Sequence, residues 1–190
     1  MTAFEEILGR IASALEEADI GYMVIGGQAV LIHGDPRQTQ DIDVTLAVSC
    51  DEISRVMPAL KTAGLKSLAE KPQDFARKTN VLPMSDVASG RRVDVIFSDF
   101  PYERQAVARA VSVPIGGRKV RFASAEDLLI HKLAAGRPID LQDARGIWLR
   151  KGKTLDRKYI ERWIKEFAGI PGLENISRTW RDLRRPNRFL

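Results

Sequence analysis

Asp41 and Asp43 stand two apart at the head of an alternating stretch, "DIDVTLAV", with Ile42, Val44 and Leu46 in the intervening positions. In a strand, residues i and i+2 share a face and lie roughly 6.5–7 Å apart. Two carboxylates so placed repel each other unless a cation or a basic partner sits with them. A hard divalent cation takes oxygen ligands of this kind. Aspartate is disfavoured in strands, so a pair in one strand asks for a chemical reason. A third carboxylate, Asp94, lies on the polar side of a second alternating stretch, "RVDVIF"; Asp99 follows beyond its apolar run and ranks lower. If the two strands are neighbours, Asp41, Asp43 and Asp94 meet on one surface. Three carboxylates around Mg²⁺ suit phosphoryl transfer, because the metal bridges phosphate oxygens and neutralises developing charge. An acid not committed to metal can accept the proton of the nucleophile. The plain alternatives are solvent-facing aspartates, and an Asp94 paired with Arg91 or Arg92.

Gly26 and Gly27 add a second signal. They follow the short apolar run "YMVI" and precede "QAVLIH", a short helix closed by Gly34. Glycine lets a backbone approach a phosphate closely, and a helix N-terminus directs N–H groups at it. The same pair also serves simple tight turns.

The elements that must position these groups are readable from periodicity. Phe4, Leu8, Ile11 and Leu15 predict an amphipathic helix over 3–18. "CDEISRVMPALKTAG" predicts another, broken at Gly64. Residues 65–86 carry little pattern; "TNVLPM" is expected as a strand, placed at a sheet edge by Pro83. A hairpin is expected around Gly116–Gly117. From residue 124 the period becomes helical. Ser124 and Asp127 have capping-box spacing, and Gly136 ends that helix. Leu141, Ala144 and Trp148 mark a second stripe, and Tyr159, Ile160, Trp163, Ile164 and Phe167 a third. A short basic helix and a fraying tail complete the chain. Trp180, set among Arg178, Arg181, Arg184 and Arg185, is either the anchor of that helix or a stacking surface for a base. The expected class is α+β: a mixed sheet flanked by helices over residues 1–123, then a helical region over 124–190.

Composition narrows the setting. No apolar run reaches the roughly 20 residues of a membrane span, and the acidic, amphipathic start is unlike a secretory signal. Cys50 is the only cysteine, which excludes an internal disulfide and a thiolate metal cluster. A cytoplasmic location is the plain expectation. His33 and His131 lack a second ligand at metal spacing. Residues 1–136 hold 16 Lys/Arg against 18 Asp/Glu, whereas residues 137–190 hold 14 against 7. All of the excess positive charge therefore falls in the last third, which suits a polyanionic partner or a solvated helical surface.

Taken together, the apolar strand, Gly26–Gly27, Asp41-Ile42-Asp43 and the later strand with Asp94 resemble the nucleotidyltransferase superfamily of DNA polymerase beta over residues 22–97. "PRQTQDID" is similar to an R-x-T-x-D-x-D form, and "EDLLIHKLAAGRPIDLQDARG" to a helix lysine followed by D-x-x-D. These flanks resemble the abortive-infection type toxins and related minimal nucleotidyltransferases, extending the likeness to residues 22–148. Asp35 departs from that branch, where Ser or Thr is common.

The resemblance implies roles residue by residue. Asp41 and Asp43 would bind Mg²⁺, and Asp94 would complete a second metal position or act as base. Gly26 and Gly27 would receive the β- and γ-phosphates of an NTP. Arg37 and Thr39 would flank the triphosphate or order its loop. Lys132 would reach the phosphates, and Asp140 and Asp143 would orient Lys132 or Arg37, or touch the substrate. From the residues alone, Lys132 could edge a core helix and Asp140 could be an N-cap. The implied activity moves an NMP from an NTP to an acceptor hydroxyl on RNA (tRNA by family), protein or a small molecule. A toxin held by an antitoxin protein is a further implication. The competing expectation is a catalytically silent module that binds nucleic acid or an acidic partner.

Overall fold

The computed structural model describes residues 2–98 and 100–185. Asp99 and the tail at 186–190 lie outside the described residues. The chain divides into two compact units, residues 1–28 with 38–123 and residues 29–37 with 124–190.

The first unit opens with α1 (Ala3–Glu17), where the Thr2 hydroxyl accepts the Glu5 N–H and Glu5 accepts the Thr2 N–H. This reciprocal cap satisfies two donors a helix start otherwise leaves orphaned. Ile7, Leu8, Ile11 and Leu15 form its buried stripe. Next come β1 (Tyr22–Ile25), the glycine turn into α2 (Gly26–His33), and β2 (Ile42–Leu46). A single 3-10 turn leads into α3 (Ile53–Thr62), followed by β3 (Leu65–Ser67), α4 (Pro72–Thr79), β4 (Val81–Asp86) and β5 (Arg92–Phe97). After α5 (Pro101–Ala108), a hairpin of β6 (Val111–Ile115) and β7 (Arg118–Phe122) completes the unit.

Among the described residues the strands form one mixed sheet in the order β3-β4-β5-β2-β1-β7-β6. β2 lies at its centre, antiparallel to β1 and parallel to β5. Ile42, Val44, Val93 and Val95 are at most 1% exposed, so alternate positions of β2 and β5 sink one face into the core. Each such side chain contributes roughly 1.5–3 kcal/mol when fully buried. The intervening positions, Asp43 and Asp94, are only half-buried.

Four elements depart from the sequence expectation. β3, α4 and α5 occupy stretches that periodicity left blank, and β4 is not an edge strand, because β3 lies outside it. Pro83 is tolerated there for a local reason. Its carbonyl accepts the Leu68 N–H at 2.9 Å, so its nitrogen faces the point where β3 has ended. Only the return bond, from position 83 to the Leu68 carbonyl, is missing, and it falls just beyond the last residue of β3.

The second unit is built from the later part of α2 with α6 (Ala125–Ala135), α7 (Pro138–Lys151), α8 (Arg157–Phe167) and α9 (Ile176–Leu183). Ser124 caps α6 and Gly136, at φ +65°, ends it. Buried Asp127 accepts from Ser124 Oγ and from the Tyr159 hydroxyl, each at 2.6 Å, which ties α8 to α6. The N-cap of α7 is Arg137, and Asp140 falls inside the helix, so Asp140 is not a cap. Trp180 is buried and meets Trp148 edge-on at 5.4 Å, so it anchors α9 and offers no face to a base. Among the described residues no helix is long and apolar enough to cross a membrane.

Candidate active site

In the first unit, Ile25, Asp43 and Asp94 are direct register partners across β1, β2 and β5. Register partners present their side chains to the same face of a sheet, so Asp43 and Asp94 are neighbours one strand apart. Asp41 precedes β2 and is exposed, and Thr39 donates its hydroxyl hydrogen to the Asp41 carbonyl at 3.4 Å.

The glycine pair is shaped around these residues. Gly26 has φ +64°, and a Cβ there would lie 1.9 Å from Asp43 Oδ2. A Cβ on Gly27 would lie 2.4 Å from Thr39 Oγ1. Both distances fall far inside atomic contact, so any larger residue displaces Asp43 or Thr39. The glycines therefore let the carboxylate strand and its preceding loop close directly onto the strand-to-helix turn.

Arg92 is the resident cation of this group. Its Nε donates to both Asp94 oxygens at 3.0 Å. That hydrogen bond, with the charges of Asp94, Asp41 and Asp43, raises the guanidinium pKa. One side-chain cation thus already sits in the field of all three acids, and an all-oxygen donor set of this charge suits a hard divalent metal. The fit has a limit. Among the described residues, no three His, Cys, Asp or Glu side chains gather as a ready metal cage. The alternative pairing of Asp94 with Arg92 is realised.

A separate cluster forms in the second unit. Lys132, on α6, places its Nζ 2.9 Å from Asp140 and 2.8 Å from Asp143, both on α7. Arg37 grips Asp143 with two bonds, Nε at 2.8 Å and Nη2 at 2.9 Å. Arg137 closes on Asp140 from the solvent side. Burial alone would raise both carboxyls, but hydrogen bonds from Arg137 and Lys132 hold Asp140 below its usual range. Arg37 and Lys132 do the same for Asp143. The loop at 34–37 reaches Asp143 because α7 carries glycine beneath it. A Cβ on Gly146 would stand 2.7 Å from Asp35 Oδ2, and Asp35 itself pairs with Arg150.

Gly26, Gly27, Thr39, Asp41, Asp43 and Asp94 therefore belong to the first unit, and Arg37, Lys132, Asp140 and Asp143 to the second. Sequence reasoning missed Arg137 and Gly146. Arg137 stands beside Asp140 in the helix register, which is a usable signal. Gly146 gives none, because its role depends on a loop distant in the chain.

No curated protein shows significant sequence similarity to the chain. Among solved structures, an antigenic nucleotidyltransferase-like protein from Paracoccidioides brasiliensis is similar at TM-score 0.56 and 17% identity, covering 95% of this chain and 94% of that one. ANT(2″)-Ia in complex with adenylyl-2″-tobramycin aligns at TM-score 0.52 and 17% identity, covering 96% and 98%. The lincosamide antibiotic adenylyltransferase LnuA, with lincomycin bound, aligns at TM-score 0.52 and 16% identity, covering 77% and 96%. At such identities the likeness is one of fold. Residues 2–171 match the family model described as "Nucleotidyltransferase of unknown function (DUF6036)", and with nearly the whole chain matched, the protein belongs to that family.

Proposed function

We propose that the chain transfers a nucleoside monophosphate from an NTP to an acceptor hydroxyl, releasing pyrophosphate. The observation that carries this is the registered pair Asp43–Asp94 beside a glycine turn moulded to Asp43, in a member of a nucleotidyltransferase family. The acceptor oxygen attacks the α-phosphorus, the bond to the β-bridging oxygen breaks, and the hydroxyl proton passes to a carboxylate, the role proposed for Asp94 where it is not committed to metal. Asp41 and Asp43 would hold Mg²⁺, with Asp94 at a second metal position. The metal, when bound, supplies charge neutralisation on the triphosphate. Gly26 and Gly27 offer backbone N–H groups to the phosphates, and Thr39 orders the loop before Asp41. Arg37 and Lys132 are the proposed phosphate cations, with Asp140 and Asp143 as their positioning residues.

Label transfer from each α-labelled NTP, with Mg²⁺ and fractionated cell extract, tests the activity and identifies the acceptor. RNA, protein and small hydroxylated molecules are separate arms. The last is suggested by the lincomycin and tobramycin complexes of the structural neighbours. Asp43→Asn is expected to lower transfer more than about 100-fold, since it removes a ligand rather than an outer partner. Transfer undiminished in that variant would rule the site out. A toxin role under an antitoxin is the finer proposal, and growth arrest on expression of the native chain but not Asp43→Asn is its test.

The silent-module alternative has one observation in its favour: Arg92 already neutralises Asp94. Divalent-cation binding separates the two. A site whose acids serve only Arg92 shows no Mn²⁺ affinity that Asp43→Asn removes.

A further inference from the structure

The two C-terminal helices of the second unit carry a cationic surface that the proposed chemistry leaves unused. On α8, Tyr159, Ile160, Trp163 and Ile164 are buried, and Lys158, Arg162 and Lys165 lie on the opposite side at i, i+4, i+7 spacing, all exposed. On α9, Ile176, Trp180 and Leu183 are buried, and Arg178 and Arg181 are exposed one turn apart. One ion pair joins the helices. Arg184 of α9 stacks on Trp180 at 4.6 Å and reaches Glu161 of α8 at 3.0 Å. Glu161 lies one turn from Lys158 and from Lys165, and Arg184 lies one turn from Arg181. Residues one turn apart are surface neighbours, with Cβ atoms roughly 5–6 Å apart. The pair therefore sits where the two cationic rows adjoin.

Among the acids nearby, exposed Glu166 lies one turn from Arg162 on α8 without an ion pair among the described residues, and the others are engaged elsewhere. Asp156 caps α8, Glu161 takes Arg184, Glu174 accepts the Gly172 N–H, and Asp182 takes Arg185. Among the described residues, Lys158, Arg162, Lys165, Arg178 and Arg181 have no carboxylate partner. Arg162 instead lies over the Trp163 ring. Five exposed charges of one sign on two docked helices cost self-repulsion that an external polyanion relieves.

The chemistry of the surface selects the partner. Membrane-surface helices press an apolar face into the bilayer, yet the apolar faces of α8 and α9 are spent on the unit's own core. Protein interfaces centre on apolar or aromatic anchors; on α8 and α9 every large apolar side chain except half-buried Phe167 is buried, and exposed Ile170 lies beyond the end of α8. Rows of cations without anchors suit a sugar–phosphate backbone, bound through counterion release and without base readout. We infer that α8 and α9 dock the phosphate backbone of an RNA through Lys158, Arg162, Lys165, Arg178 and Arg181. RNA is preferred over DNA only on the strength of the proposed function, because ribose adds acceptor hydroxyls that deoxyribose lacks.

Fluorescence anisotropy with the full chain and a labelled single-stranded RNA, without NTP or divalent metal, tests docking apart from catalysis. The logarithm of affinity should fall with the logarithm of salt with a slope of about −3 to −4 for five contacts. Lys158→Gln/Arg162→Gln/Lys165→Gln should reduce the magnitude of that slope by about 2 and weaken binding roughly tenfold or more at low salt. Lys66→Gln/Lys71→Gln/Lys78→Gln, the same charge loss at exposed sites of the first unit, should leave the slope in place. Equal weakening by both triple variants, or polyglutamate binding as tightly as RNA, overturns the inference. Row-dependent RNA binding without label transfer to any acceptor keeps the docking surface and sinks the proposed activity. Label transfer to a small molecule with RNA binding indifferent to the rows does the reverse.

Discussion

At the residue scale, spacing exposes which side chains can do chemistry but not which partner each one takes. The alternation of "DIDV" and "RVDV" puts Asp43 and Asp94 on the polar side of their strands. That they are direct register partners is a property of strand pairing, which a single sequence does not state. Arg92 shows the same gap. It is two residues from Asp94 and shares its face, so contact was available to sequence reasoning, but the hold on both oxygens depends on a rotamer. Its consequence is measurable. An exposed ion pair is worth at most about 1 kcal/mol, so Arg92→Gln should hardly alter Tm. Releasing Asp94 should instead strengthen Mn²⁺ binding severalfold, read by electron paramagnetic resonance in the absence of NTP. Weaker binding in that variant would mean that Arg92 helps to assemble the acids rather than compete for them.

At the element scale, long periodic segments were legible and short ones were not. α1, α3, α7 and α8 announce themselves through apolar stripes, α6 through its Ser124 cap and Gly136 stop, and β2 and β5 through alternation. β3 is three residues long, too short for any period to register. α4 buries only Ala76, and its clearest signals are the proline at its first turn and left-handed Asn80 at its end. α5 likewise starts at a proline. The staple between α6 and α7 was legible as residue types, Lys132 with Asp140 and Asp143, but not as a buried network. Lys132→Met removes its centre and should cost on the order of 3 kcal/mol, the scale of breaking a buried pair. The pH dependence carries a fixed sign. Both carboxyls sit below their ordinary 3.8 in the folded chain, so their contribution is complete above that value and is lost as pH falls through the lower folded values. Urea unfolding between pH 6 and 2.5 should show wild-type stability declining below about pH 4, with a shallower decline in Lys132→Met. Parallel curves would assign acid sensitivity to other groups, such as Asp86, which Ser89 and Arg10 hold low against the opposing effect of its burial.

At the scale of the whole molecule, the α+β class was legible because the period changes from two to 3.6 near residue 124. The division of labour was less so. Residues 29–37, which look in sequence like part of the sheet region, fold with the helices, and they take Arg37 with them. The reason is steric: Gly34 lies against Ile147 and Asp35 against Gly146, so the loop can rest on α7 only where side chains are missing. Family membership extends over residues 2–171, beyond the motifs that suggested it, whereas the toxin branch rested on a few flanking residues whose pattern Asp35 already breaks.

The sheet's two outer strands, β3 and β6, carry one more consequence. β3 stops after three residues because Pro83 denies it a further bond, and β6 contains Pro114. An incoming chain would find no long run of free donors along either margin, and so no template for cross-β growth. Concentrated stocks should stay free of thioflavin-positive fibres on prolonged shaking. Pro114→Val, which restores a donor to an exposed margin, should shorten the lag before fibres form without moving the midpoint of unfolding by more than a few degrees.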